Sequence, residues 1–322
     1  MSDGQGNPLA AVVESLPTIP AATKPGLVRG LSYLLGGLGN YLGAWLRRPV
    51  QAVEDRTDAR TIITRAIALA AAEKLSSDTD VVAAAVARWG PADVNRQLNK
   101  MRIAKETLRE FSEGGENDAT GDLPPPSDDF LNSYERFCAD SSDENMQKLW
   151  ARLLAGEIRR PGSFSRHTMR CLYELDTEIA TLFQRIAMRT VGGVLLYETS
   201  EEIRTYEINK LQAAGLITGG GGIYNWTLKF DEKGFAMIKG EEYVLIAKKA
   251  DGGSDFSITS YPLTQAGEEL IKLLPDYSER GALVKMLDQI SSEVASEIAI
   301  SSFTTNKSGE IVLSSTETLR ET

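Results

Sequence analysis

Residues 27–46, LVRGLSYLLGGLGNYLGAWL, hold a single charge, Arg29, and run into a basic pair, Arg47 and Arg48. Leu27, Leu31, Leu34, Leu35, Leu38, Leu42, Trp45 and Leu46 recur at helical spacing and define one apolar face. The opposite face is small instead of charged: Ser32, Gly36, Gly39, Gly43 and Ala44. A helix facing water carries Lys and Glu there, and each glycine costs about 1 kcal/mol against alanine in an exposed helix. A lipid interface or a tightly apposed partner helix would offset that cost. Small residues four apart let helices approach closely, and Trp beside basic residues anchors a segment at a membrane interface. The membrane or assembly residues expected from this pattern are Leu31, Leu34, Leu35, Leu38, Gly39, Leu42, Gly43, Trp45, Arg47 and Arg48. Residues 30–46 give 17 uncharged positions, the lower edge of the roughly 17–25 that span a bilayer. Lying in the interface, or packing inside the protein, fits better than spanning.

Charge is unevenly spread. Residues 1–112 carry a net +3, residues 113–130 a net −6 and the remainder −7, for −10 overall. A general nucleic-acid binder has a basic footprint, so nucleic acid is disfavoured as a partner, while the mildly basic N-terminal part suits an anionic surface. With 42% hydrophobic and 25% charged residues, the composition is that of a globular protein. Its length allows two or three domains. Two cysteines, Cys138 and Cys171, form neither a disulfide framework nor zinc spacing. Residues 1–8 lack Lys and Arg, so no secretory signal is expected. The expected location is cytoplasmic, peripheral at a membrane.

Punctuation divides the chain. Residues 1–26, with four prolines, read as a flexible leader containing a short helix at 9–15. Residues 27–112 read as a helical N-terminal region, broken at Gly90-Pro91. Residues 113–127, EGGENDATGDLPPPS, read as an acidic linker and the main domain boundary. Residues 128–190 read as a helical module: Phe130, Tyr134 and Phe137 share a helix, Ser141 and Glu144 suggest a capping box, and Asp176 can cap a later helix. Residues 191–299 follow the order helix, Gly215-Leu216-Ile217, β-rich runs, then Leu263–Leu274, which looks like a winged-helix unit, with a further helix over 279–299. Residues 300–322 read as a hairpin or tail. The expected fold is mainly α with a small β part: a helical N-terminal region, then a helical module followed by a winged-helix-like α+β unit.

The segment SDENMQKLWARLLAGEIRRPGSFSRHTMRCLYELD, Ser142–Asp176, resembles the uncharacterised bacterial domain-of-unknown-function family numbered 2806. The residues that carry the resemblance include Ser142, Asp143, Glu144, Trp150, Gly156, Glu157, Pro161, Gly162, Phe164, Ser165 and Asp176. With the later "GLI" and "LTQAGEEL" elements it extends over 128–275. The resemblance implies no activity. Similar helical modules occur in bacterial defence proteins, so it implies phage defence as a setting. Read as residues alone, Met146, Leu149, Trp150, Leu153 and Leu154 are core, and Glu157, Arg159 and Arg160 form a candidate polar site at the turn.

Catalytic chemistry has little to work with. His167 is the single histidine, which excludes a multi-histidine metal site within one chain. Gly219–Gly222 lacks the Lys-Ser/Thr ending of a phosphate loop. No catalytic, cofactor-binding or metal residue is assigned. Residues 201–214, the recognition-helix candidate of a winged helix, are net negative and would repel phosphates. The expected function is therefore a non-enzymatic interaction protein with a membrane or self-assembly element, a protein partner and a homo-oligomeric state. The alternatives are a winged-helix DNA-binding regulator and an enzyme with an unrecognised carboxylate site near Glu157.

Overall fold

In a computed structural model, residues 8–16, 18–36, 79–113, 123–196, 203–218, 224–275, 277–287, 290–306 and 309–321 are described. Helices fill the N-terminal part and two antiparallel sheets lie in the C-terminal part, a mainly α chain with a smaller β portion. The chain divides into two compact units, Met1–Tyr173 and Glu174–Thr322.

The first unit contains α1 (Pro8–Glu14), α2 (Lys24–Leu35), α3 (Thr79–Glu113), α4 (Asp128–Cys138), α5 (Glu144–Arg159) and α6 (Arg166–Glu174). Its core is built by the apolar faces of α3 and α5. Val94, Met101, Ala104, Leu108 and Phe111 of α3 are buried, as are Trp150, Ala151, Leu154 and Ile158 of α5. Helix α2 lays Leu27, Leu31, Leu34 and Leu35 into the same core. Its glycines explain the close approach: a Cβ at Gly26 would sit 3.1 Å from Ile158, and one at Gly30 would sit 3.4 Å from Leu154. Arg29 bonds Asp128 at 2.8 Å and the Tyr33 hydroxyl donates to Asn132 Oδ1 at 2.6 Å, fixing α2 on α4.

Four expectations are corrected here. The described residues of the leader are packed, because α1 and the following turn bury Leu9, Val12, Val13 and Ile19. The acidic linker joins two helices of one unit instead of dividing units, since α3 and α5 share a core. Helix α3 runs through Gly90-Pro91 without ending; proline removes one intrahelical hydrogen bond, and burial of the face beyond it outweighs that loss. Helix α5 is capped by Asp143, whose carboxylate accepts from Met146 N at 3.0 Å, while Glu144 pairs with Lys148.

The second unit contains α7 (Thr177–Ala187), β1 (Thr190–Val191), β2 (Val194–Leu196), α8 (Thr205–Ala213), β3 (Tyr224–Leu228), β4 (Phe235–Lys239), β5 (Tyr243–Lys249), β6 (Phe256–Pro262), α9 (Gln265–Ile271), α10 (Glu279–Met286), β7 (Ala295–Thr305) and β8 (Ile311–Glu321). Asp176 caps α7 as its position suggests, accepting from Ile179 N at 2.7 Å. The sheets have the orders β1-β2-β6-β3 and β4-β5-β7-β8. The expected order of helix, Gly-Leu-Ile, strands and closing helix is present, and Thr264 Oγ1 donates to Gly215 O across it. The strands do not form one wing, however: β4 and β5 leave for the second sheet. There Ala236, Ile238, Leu245, Ala247, Ile298 and Ile300 alternate inward and pack on Ala282, Leu283 and Met286 of α10. The helix expected over 279–299 ends early, because residues from Ala295 onward enter β7 beside β5.

Candidate functional site

The motif turn after α5 holds the polar residues picked out by sequence. Glu157 is buried, and its carboxylate accepts from Gly162 N at 2.7 Å and Phe164 N at 3.2 Å. It thereby gives the buried Phe164 N–H its partner and ties down the exposed Gly162 N–H at the turn. Gly156 permits the return of the chain: a Cβ there would lie 2.8 Å from the Phe164 ring. Ser165 opens α6, accepting from Thr168 N at 3.1 Å. Arg159 donates to Glu110 O at 2.9 Å and lies over the Phe111 ring at 4.6 Å. Burial lowers its pKa, opposed in part by Glu110. Arg160 is exposed, and its carbonyl accepts from Ser163 Oγ. The three residues thus do not converge on one site; they fasten the turn and α3.

An open cleft of about 510 Å³ lies between α3 and α4. Arg96, Gln97 and Lys100 come from α3, and Glu135 and Arg136 from α4, with Asp140 just beyond. Arg96 Nε donates to Asp140 at 2.8 Å and Lys100 Nζ to Glu135 at 2.7 Å; Asp140 raises the pKa of Arg96 through that bond and its charge. Behind it, Asn99 donates to Ala139 O at 2.9 Å and Gln147 donates to Ser141 O at 2.9 Å, holding the turn that leads to α5. The i,i+4 spacing of Arg96 and Lys100 was visible, but their carboxylates come from 35 and 44 residues away.

Chemically the cleft is neutral and carries no nucleophile. Cys138 is buried nearby, and burial pushes its thiol pKa far up, which makes it inert. Among the described residues no group of three His, Cys, Asp or Glu could hold a metal ion. A second cleft, about 270 Å³, lies in the C-terminal unit beside Tyr277 and Glu279. The Glu279 carboxylate accepts from the backbone of Glu241, Glu242 and Tyr243. Burial, then the nearby carboxylates led by Glu279, push the Tyr277 phenol up to about 12. An unfolded tyrosine titrates near about 10, so the stabilisation is complete below that pH and is lost as pH rises through about 12. Tyr277→Phe should flatten the decline in stability across that window, as read by urea melts at its two ends; equal slopes for both proteins would contradict it.

The described half of the glycine-rich stretch also has a place. Leu31, Leu34 and Leu35 are buried in the first unit, a correction to their reading as lipid-facing or intersubunit residues. The close approach of α2 is to α5 of the same chain, at Gly26 and Gly30. Gly36 closes α2 at φ +54°, a conformation that favours glycine. Leu38, Gly39, Leu42, Gly43, Trp45, Arg47 and Arg48 lie outside the described residues.

Residues 85–192 match the family described as Protein of unknown function (DUF2806). The DUF2806 match covers about a third of the chain, from α3 to the end of β1, and includes the motif turn and the α3/α4 cleft. It begins earlier than the sequence resemblance suggested, taking in α3, and stops before the Gly-Leu-Ile and LTQAGEEL elements. No curated protein and no solved structure matches the chain.

Proposed function

We propose that this chain is a non-enzymatic interaction protein. It meets an anionic membrane surface, or assembles, through the segment after α2, and it binds a protein partner through its C-terminal unit. The observation that carries the partner half is where apolar surface is left open. Of seven large apolar or aromatic side chains exposed among the described residues, six (Tyr206, Tyr224, Phe235, Met237, Val312 and Leu313) belong to the second unit. Phe235 and Met237, two apart on β4, share one face and form a contiguous exposed apolar pair, and contiguous apolar surface marks interaction sites. The cations around α8 are already paired, Arg185 with Glu207 and Lys210 with Glu178, which favours protein over the DNA backbone. Glu157 serves the turn and so offers little support for an enzyme.

No helix among the described residues is long and apolar enough to cross a membrane. The lipid contact we propose is peripheral, because residues 30–46 reach only the lower edge of a spanning length, and the location we propose is cytoplasmic. Leu38, Leu42 and Trp45, with Arg47 and Arg48 after them, would make it, Gly39 and Gly43 serving helix approach. Phage defence is the setting we propose, on the family resemblance alone. Liposome flotation tests the membrane part. The full chain should float with anionic vesicles, and the L38D/L42D/W45D variant should not. Equal flotation of both, or of neither, removes the membrane reading. Substituting Leu34 or Leu35 would not serve, since both are core residues.

A further inference from the structure

We propose that two copies of this chain pair edge to edge through β8. This strand ends the order β4-β5-β7-β8, so one of its rims has no neighbouring strand among the described residues. Such a rim is a template for another strand, and proteins guard it with Lys, Pro or outward charge. Here IVLSSTETLRE contains neither Lys nor Pro. Of its three charges, two are folded back onto their own unit, Glu317 pairing with Arg280 at 2.6 Å and Arg320 donating to Ala295 O at 3.1 Å, and the third, Glu321, stands at the strand's end. Val312 and Leu313 remain exposed.

A two-fold contact is self-complementary, and full overlap of the 11-residue strand with its copy places Thr316 on the axis. Ser315 then faces Glu317 of the second copy on each side of the axis. No like charges are opposed. The β7–β8 register skips Ser314 and Leu319 as bulges, which confines the regular rim to Ser315–Thr318. The dimer is therefore weak and concentration-dependent.

Sedimentation velocity of the full chain over a wide concentration range tests this register. S315E sets two symmetric Glu–Glu pairs across the axis and should weaken the dimer roughly two- to thirtyfold. S315K sets two Lys–Glu pairs and should tighten it by a similar factor. Both residues replace an exposed serine, so each fold can be checked by circular dichroism. A chain that is monomeric throughout overturns the proposal. So does equal behaviour of S315E and S315K, which is what assembly through residues 38–48 alone would give.

Discussion

Trp150→Ala should cost the first unit about 3–5 kcal/mol, the usual range for truncating a large buried aromatic residue. Trp150 is wholly buried and heads the largest side chains of the core. Its ring meets Tyr134 edge-on, with centroids 5.5 Å apart, and Tyr134 stacks on Phe130 at 5.9 Å. The Tyr134 hydroxyl donates to Trp150 O at 2.8 Å, so burial and that bond hold α4 against α5. Removing the indole opens a cavity that these neighbours cannot close without giving up the bond. At about 2–4 °C per kcal/mol for a chain region of this size, the melting midpoint should fall by about 10 °C. Trp150→Phe separates the contributions. The indole Nε1 has no acceptor among the described residues, so phenylalanine sacrifices no hydrogen bond there and should cost far less. Urea unfolding followed by circular dichroism reads both. An alanine variant as stable as the parent would mean that the α4/α5 seam is not sealed as described.

Local signals in this chain were legible, while long-range partners were not. The aromatic helix at Phe130, Tyr134 and Phe137, the Asp176 cap and the turn at Gly215 rest on residues within one or two helical turns, and each is present. Close approach occurs at Gly26 and Gly30, whereas Gly36 of the small face meets nothing, and Gly39 and Gly43 lie outside the described residues. What sequence could not say is that the tight partner of α2 is α5, more than 100 residues away, so the same leucines that suggested lipid turned out to be core. Prolines misled twice. In the leader they accompany Leu9, Val12 and Val13, which find a core, and at Pro91 the helix continues because its further face is buried. The wing failed for a similar reason: β4 and β5 alternate as any hairpin does, and only the pairing of β5 with β7 sends them to a second sheet. The α3/α4 cleft needed both helices in place before its ion pairs existed at all.

Glu157→Ala should be as damaging as the loss of Trp150, through a different force. Two backbone N–H groups, those of Gly162 and Phe164, depend on this one carboxylate. Hydrogen bonds to a charged acceptor contribute about 1.5–3 kcal/mol each, and the Phe164 N–H, left buried without a partner, adds its desolvation cost, while the exposed Gly162 N–H turns to water. A loss of about 3–5 kcal/mol is expected, with the turn 160–165 released and Phe164 no longer held against Gly156. Glu157→Gln keeps an acceptor of the same shape and should retain about half of the stability. This graded response distinguishes a carboxylate that holds a turn from one that does chemistry. A structural Glu157 moves the unfolding midpoint in the order Glu, Gln, Ala. A catalytic one would leave the midpoint nearly fixed, because active-site carboxylates are held at some cost to the fold and their removal relieves it. Hydrogen exchange at Gly162 and Phe164 locates the effect: faster exchange confined to the turn in Glu157→Ala places the role of the motif in shaping the α5–α6 connection, whereas unchanged protection would return Glu157 to the pool of candidate reactive groups.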